Sequence, residues 1–284
     1  MRWVSFWTAM VGLCLTNASY VSQSALAEDG LGCNLGCYNG YCDKGGLVAD
    51  VELTFMKYMQ EGGVTDIAGS PASFNMDLAP RFELGYMGRN DIGFRSRYWH
   101  YDASATSTTG NPLGVTTYTI DGELFHERCL GRKTHLEVSL GLRYLDFKQD
   151  IMNLAVPSAI NSEFEGWGGT FAVEAEHPFW IGNAYARGRW SILLGNADAI
   201  NINGGGTTAF RAEDTTSTLT ELGIGYELSH RFGNWGTGSV RFGGEWQTWS
   251  NVALADTSFG GVGNDDVLEG AGFAGLVLGM EWKR

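Results

Sequence analysis

Charged side chains recur two positions apart in several segments of this 284-residue chain. Arg95 and Arg97 show this spacing, and so do Asp121 and Glu123. Residues two apart on a β-strand point to the same face, and arginines can pair with carboxylates on a neighbouring strand. Inside a membrane barrel, rings of such groups would set the selectivity of a path for small polar solutes. The candidate lumen-lining residues are Arg81, Glu83, Arg95, Arg97, Asp121, Glu123, Glu137, Arg143, Glu174, Arg187, Arg189, Glu221, Glu227, Arg241 and Glu245. These eight carboxylates and seven arginines nearly balance, which predicts at most a weak cation preference.

Four cysteines follow the N-terminal export segment described below: Cys33, Cys37, Cys42 and Cys129. In an oxidising compartment such thiols form disulfides, and we expect two, one of which ties the N-terminal segment to Cys129. Four cysteines allow three pairings, and the sequence does not choose among them. A metal or cluster site is the rival hypothesis, but the C-x3-C-x4-C spacing matches no common zinc motif. We therefore predict disulfides and no metal site.

Histidines raise the possibility of an enzyme that works within a membrane barrel. Catalysis would need a histidine that converges with a carboxylate or a serine. The only candidate is His100, close in sequence to Asp102, because the other four histidines lie at short turns. We predict no catalytic residues and no cofactor.

Strict alternation of apolar and polar residues indicates the elements that must position these groups. In HLEVSLGLRYLDF, residues 135–147, every second residue from Leu136 to Tyr144 is apolar, which is typical of a strand with one apolar face. The same pattern predicts ten strands, with twelve as an alternative. They lie near 47–59, 77–88, 92–103, 114–128, 134–147, 163–177, 181–196, 216–230, 238–250 and 269–283.

Connections between these strands alternate between long and short. Long ones include residues 148–161 and 196–216, whereas 129–133 is short. Outer-membrane barrels combine long extracellular loops with short periplasmic turns on an even number of strands. The sequence therefore predicts an all-β, closed antiparallel transmembrane β-barrel. Aromatic residues near strand ends fit an interfacial girdle; they are Tyr58, Tyr86, Tyr144, Trp180, Trp249 and Trp282.

The N-terminus predicts export. Arg2, a short apolar run and an A-x-A site before Glu28 indicate a signal peptide over residues 1–27. A cysteine-containing periplasmic segment would occupy 28–46 and the barrel 47–284. The expected location is the outer membrane of a Gram-negative-type envelope, with membrane lipid and a lipopolysaccharide-type outer leaflet as partners. A net charge of −13 argues against nucleic acid as a partner, and the oligomeric state is not predicted.

Several segments occur in an order that resembles a known family. They are APRFELGYMGRNDIGFRSRYWHYD (79–102), LEVSLGLRYLDF (136–147), EGWGGTFAVEAEHPF (165–179), AYARGRWSILLG (184–195), GGEWQTW (243–249) and GFAGLVLGMEW (272–282). Together they resemble the pore-forming outer membrane proteins typified by the Legionella major outer membrane protein. The resemblance implies a barrel with a porin-like role and no catalytic residues.

Three functional hypotheses follow from the sequence. The first is a porin-like passive channel for small polar solutes. The second is a non-conducting structural or surface-interaction barrel that uses its long extracellular loops, because small barrels fill their interior with side chains. The third is a barrel enzyme at the outer membrane.

Overall fold

Ten antiparallel strands form a closed barrel in this computed structural model, which describes residues 45–89, 91–130, 134–154, 158–203, 206–254 and 268–284. The strands are β1 Gly46–Gln60, β2 Met76–Met87, β3 Ile92–Thr106, β4 Pro112–Leu130, β5 Thr134–Asn153, β6 Ser158–Phe179, β7 Gly182–Asn203, β8 Gly206–Arg231, β9 Thr237–Leu254 and β10 Leu268–Lys283. Each strand pairs with its neighbour in sequence, and β1 pairs with β10 from Val48↔Lys283 to Gln60↔Ala271. The predicted ten-stranded closed barrel is confirmed. The described part of the chain contains no helix long and apolar enough to cross a membrane.

The two ends of the barrel differ. At one end, the short-turn end, the strands are separated by residues 88–91, 131–133, 180–181 and 232–236. At the other, the long-loop end, they are separated by 61–75, 107–111, 154–157, 204–205 and 255–267. Both described ends of the chain, at Gly45 and Arg284, lie at the short-turn end, where Arg284 donates its amide to Leu47 O.

Two connections at the long-loop end are shorter than the sequence predicted. The expected loops over 148–161 and 196–216 are wrong in extent, because most of these residues extend β5 to β8 as hairpins. The cause is burial of inward side chains. Ile151 and Ile160 are paired across β5 and β6 and are almost fully buried, and Ala197 and Ala199 on β7 are buried in the same way. Apolar burial of this kind stabilises the extended strands.

Inward glycines make room for large side chains on the neighbouring strands. Tyr185 on β7 lies over Gly225 and Gly243, where an added Cβ would approach its phenol ring or oxygen to 2.6 Å. Arg187 lies over Gly223 in the same way, at 2.9 Å. Glycine in these strands therefore marks close packing inside the barrel.

The outer face is apolar along its middle. Leu140 is 67% exposed on β5, and Leu124 on β4 and Leu276 on β10 are exposed to a similar degree. Inward positions on the same strands are buried. This distribution fits a barrel whose outer wall meets lipid.

Candidate functional site in the barrel interior

All fifteen candidate lumen residues lie on inward positions of the strands. They are concentrated toward the short-turn end, and we call this part of the interior the charged layer. The sequence interpretation missed further members with the same two-residue spacing. These are Asp50 and Glu52 on β1, Glu127 on β4, His135 on β5, Glu176 on β6, and Glu281 and Lys283 on β10. Glu176 follows Glu174 by two positions, so alternation alone would have identified it.

A closed ring of two arginines and two glutamates spans the charged layer. Arg81 on β2 contacts Glu52 and Glu245 at 2.5 Å each. Arg187 on β7 contacts the same two carboxylates at 2.6 and 2.5 Å. Because β7 lies across the barrel from β1, this ring joins opposite walls. Bidentate arginine–carboxylate geometry fixes such contacts in direction as well as distance.

A second set of ion pairs crosses the barrel beside the first. Arg143 on β5 makes a two-pronged contact with Asp121 at 2.6 and 2.9 Å, and reaches Glu221 on β8 at 2.5 Å. Arg97 on β3 contacts Glu221 at 3.1 Å. Arg189 on β7 pairs with the remaining carboxylate of this group, Glu123 on β4.

Arg241 on β9 contacts four carboxylates, closer to the short-turn end of the barrel. Its contacts are 3.0 Å to Glu174, 3.1 Å to Glu176, 2.5 Å to Glu227 and 3.3 Å to Glu281. The space left within the charged layer is a cavity of about 50 Å³. A water needs roughly 10–15 Å³ of such volume, so the cavity has room for a few water molecules.

Toward the long-loop end the interior is apolar and aromatic, and we call this part the aromatic layer. Trp99 on β3 and Trp249 on β9 meet edge to face with ring centroids 5.7 Å apart, and Trp249 lies 4.8 Å from Phe273 on β10. Phe147 on β5 lies 6.2 Å from Trp249. These side chains are almost fully buried. Side chains from opposite walls are in contact here as well.

Two of the aromatic residues assigned to the interfacial girdle belong to this layer instead. Tyr58 and Trp249 are each 1% exposed and point inward, so their assignment to the girdle was wrong. The outward tyrosines Tyr98, Tyr118 and Tyr144 do form a row on the outer face, with ring centroids 6.3 and 5.9 Å apart.

Residues 61–75, between β1 and β2, fold over the aromatic layer and form what we call the lid. Val64 and Phe74 of the lid are buried, and the Phe74 ring meets Tyr58 edge to face at 5.1 Å. The lid also forms isolated bridges, Thr65↔Pro71 within itself and Ala72↔Ser107 to the end of β3. The mouth of the barrel is therefore covered by the chain itself.

Asp66 holds the lid in place. Its Oδ1 accepts hydrogen bonds from the Ala68 and Ser70 amides at 2.9 Å each. Its Oδ2 accepts from side chains of the β3–β4 connection, namely Ser107 at 2.7 Å, Thr109 at 2.5 Å and Asn111 at 2.8 Å. Burial by itself would raise the pKa of Asp66, but the hydrogen bonds from Thr109, Ser107 and Ser70 outweigh it and hold the pKa well below its ordinary value.

The histidines are engaged in structural contacts. His100 faces outward and stacks on Tyr98, with centroids 6.4 Å apart, while Asp102 accepts a hydrogen bond from Thr116 at 3.3 Å. At the short-turn end, His135 contacts Glu127 at 3.3 Å. His135 also lies opposite Cys129 in the β4–β5 ladder, so the short-turn end brings a thiol, an imidazole and a carboxylate close together on the inner face.

One outward group of carboxylates could hold a metal ion. Ligand atoms of Asp146, Glu163 and Glu165 lie within 4.8 Å of one another. Lys148 already pairs with Glu163 at 2.6 Å and with Asp146 at 3.5 Å. The positive charge of Lys148 therefore neutralises part of the negative charge that would attract a metal ion to this group.

The predicted disulfides fall mostly outside the described residues. Cys129 is half-buried near the end of β4, at the short-turn end. Cys33, Cys37 and Cys42 lie outside the described ranges, as does the predicted signal peptide. The pairing of Cys129 with one of them stays a prediction.

Comparison with known proteins identifies the fold. No family model and no curated protein matches the chain, but solved structures do. The outer membrane protease OmpT from Escherichia coli aligns with a TM-score of 0.54 at 9% identity, covering 84% of this chain and 97% of that one. The translocator domain of autotransporter NalP from Neisseria meningitidis aligns with a TM-score of 0.43 at 9% identity, covering 98% and 96%. A major outer membrane protein from Thermus thermophilus aligns with a TM-score of 0.41 at 11% identity, covering 85% and 100%.

These identities are low enough that the OmpT likeness shows the fold alone. A protease carries this fold, so the fold by itself does not separate a channel from an enzyme. The predicted location in the outer membrane agrees with the fold, whereas none of the matches names the Legionella-type family. The chain has the fold of the outer-membrane β-barrel proteins.

Proposed function

We propose that this chain is an outer-membrane β-barrel whose lumen is closed to solutes in the conformation described here, and that it serves as a structural or surface-interaction barrel through its long-loop end. The observation that supports this is side-chain contact between opposite walls in two successive layers. Arg187 meets Glu52 across the charged layer, and Trp99 meets Trp249 across the aromatic layer. A passive porin needs a continuous water-filled path, whereas the cavity between the charged side chains has room for only a few water molecules, at about 50 Å³.

Ten strands make this closure physically reasonable. A barrel of about eight strands is just wide enough for side chains to fill, whereas 16–18 strands leave an aqueous channel. The glycines under Tyr185 and Arg187 let large side chains lie flat across the interior. Large inward side chains in a barrel of small diameter therefore fill its interior.

Planar-bilayer recording tests the proposal. The folded protein should give no sustained single-channel steps, because neither layer offers a path. Folding of the same sample is established by the different gel mobility of boiled and unboiled protein, since a closed barrel resists detergent until heated, and insertion is established by flotation of the protein with lipid vesicles. Sustained steps from folded wild-type protein would overturn the proposal.

The second candidate is a small-solute channel that conducts only after the lid and the aromatic layer move. Closure at the long-loop end by hydrogen bonds to one side chain, Asp66, favours it over a constitutively open pore. Recording Asp66→Ala beside the wild type separates the two candidates. Channel openings that appear only in the variant support a gated channel, whereas an absence of current from both proteins supports the closed barrel.

A further inference from the structure

Outward side chains change from apolar to polar toward the long-loop end of β8, β9, β10 and β1. Ile224 on β8 and Leu276 on β10 lie in one outward row and are largely exposed. The next row toward the long-loop end contains Trp246 on β9 and Lys57 on β1, and the row beyond it contains Thr248 on β9. Tryptophan is enriched at membrane–water interfaces, where lysine extends its ammonium group toward water. The edge of the hydrocarbon layer therefore runs through the row of Trp246 and Lys57.

A groove of about 400 Å³ lies on the polar side of this edge. Four hydroxyl side chains line it, namely Thr218, Thr220, Thr248 and Ser250. Thr218 and Ser250 bond to each other at 2.8 Å, whereas the hydroxyls of Thr220 and Thr248 have no partner among the described residues and can donate to or accept from a ligand. Outward Gly272 on β10 leaves the floor of the groove open, because an added Cβ would have its nearest atom at 3.6 Å. Sites for small molecules span about 300–1,000 Å³, so the groove has the size of a ligand site.

Charged groups lie on both sides of the groove. Lys57, on its membrane side, is exposed and has no ion-pair partner within the described part of the chain. Glu61 lies on its water side, just beyond the end of β1, where its amide donates to Gly270 O at 3.0 Å. A cation at the level of the lipid head groups attracts an anionic head group, whereas hydroxyls and one carboxylate suit a ligand with several hydroxyl groups. The groove therefore combines a contact for a phosphate with contacts for a sugar.

We propose that this groove binds the phosphorylated sugar head group of a glycolipid from the outer leaflet. The long loops of an outer-membrane barrel face the outside of the cell, so the groove lies at the head groups of that leaflet. The lipid phosphate pairs with Lys57, and the acyl chains lie along the apolar row that includes Leu276. The sugar hydroxyls bond to Thr220 and Thr248 and donate to the Glu61 carboxylate. The groove lies on the outer wall, so its occupancy is independent of whether the lumen conducts.

Native mass spectrometry of the folded full-length protein in detergent tests the site, with lipid A, a phosphorylated and acylated glucosamine disaccharide, as the probe. Wild type should retain one lipid A molecule per chain. Phosphatidic acid, which carries the phosphate without the sugar, should bind about tenfold more weakly because the hydrogen bonds of the sugar are missing.

Three variants locate the bound lipid. Gly272→Leu places a side chain on the floor of the groove and should abolish saturable binding of lipid A. Lys57→Gln should weaken binding about tenfold, because a hydrogen bond to a charged group is lost. Gly122→Leu on β4 is the matched control and should bind lipid A as the wild type does, since an added Cβ at this outward glycine also meets open space.

Four results would overturn the proposal. Wild type could retain no lipid A, or phosphatidic acid could bind equally well, which would reduce the site to a phosphate contact. Gly272→Leu could bind like wild type, or Gly122→Leu could lose as much affinity, which would show general contact of lipid with the wall. If Gly272→Leu lacks the gel mobility of the folded barrel, Thr248→Val decides, because valine keeps the shape of this exposed side chain and the loss of its hydroxyl should still lower the affinity.

Discussion

Replacing Asp66 with asparagine should release the lid and leave the barrel wall intact. The substituted side chain keeps one oxygen for the amides of Ala68 and Ser70. Its other oxygen becomes an NH₂ group, which can still donate to the hydroxyls of Ser107 and Thr109 but cannot accept from the Asn111 amide. The strands of the barrel wall keep their backbone hydrogen bonds, so the substitution destabilises the closed lid and not the wall.

The size of the effect follows from the loss of the charged acceptor. A hydrogen bond to a charged group contributes about 1.5–3 kcal/mol. The losses do not add fully, since the lid lies at a water-facing end and the freed donors can be solvated. We therefore expect about 2–3 kcal/mol less stability for the closed lid. Because 1.4 kcal/mol is tenfold, the lid should open about 30- to 150-fold more often.

Hydrogen exchange measures this directly. The amides of Ala68 and Ser70 should lose protection by that factor in Asp66→Asn, while amides in the middle of β1 exchange as in the wild type. Asp102→Asn on β3 is the matched control, because Asp102 is exposed and accepts one long hydrogen bond of 3.3 Å from Thr116. Equal protection of Ala68 in wild type and Asp66→Asn would refute the role given to this carboxylate.

The same carboxylate gives the lid an acid dependence of known sign. The pKa of Asp66 is lower in the folded protein than in the unfolded chain, where aspartate titrates near about 3.9. Its contribution is therefore complete above that unfolded value and is lost as the pH falls through the lower folded pKa. Wild-type protection at Ser70, corrected for intrinsic exchange, should be constant above about pH 5 and fall in stronger acid. Asp66→Asn should show no such fall.

Three further predictions concern the wall, the charged layer and the cysteines. Leu140→Arg on the outer face should lower the free energy of unfolding from vesicles by about 2–4 kcal/mol, and Leu130→Arg, at the short-turn end of β4, by about 0–1 kcal/mol; equal costs would contradict the depth assignment. Arg187→Ala should cost about 3–5 kcal/mol because it leaves buried carboxylates short of a cation, whereas the exposed Arg211→Ala should cost about 0–1 kcal/mol in the same urea titration. Mass mapping without reductant should find Cys129 linked to one of the three N-terminal cysteines, and free thiols throughout exported protein would disprove the link.

The alternation of polar and apolar residues predicted which side chains face inward wherever one face of a strand has the same polarity along its whole length. Arg95 and Arg97, for example, share the inner face of β3 as their spacing required. On β1 the inner face changes chemistry midway, from Asp50 and Glu52 to Met56 and Tyr58. A search for one polar and one apolar face could not detect that change. The aromatic layer was missed for this reason.

The sequence did not predict the lid, because its placement depends on contacts between residues that are distant in sequence. Asp66 and Asn111 belong to different connections, and their hydrogen bond of 2.8 Å exists only once the barrel has brought those connections together. The local signal, an aspartate followed by Gly69 and Ser70, indicates a turn. It does not say that the turn covers the barrel. Burial of Val64 and Phe74 supplies that information.

Closure of the lumen depends on the two layers in different ways. In the charged layer carboxylates outnumber cations, so Arg241, with four acidic partners, can exchange one for another and keep an ion pair. The rings of Trp99, Trp249 and Phe273 are almost fully buried, and moving them exposes apolar area to water at about 25 cal/mol per Å². The aromatic layer, with the lid that covers it, is therefore the stronger barrier to solutes.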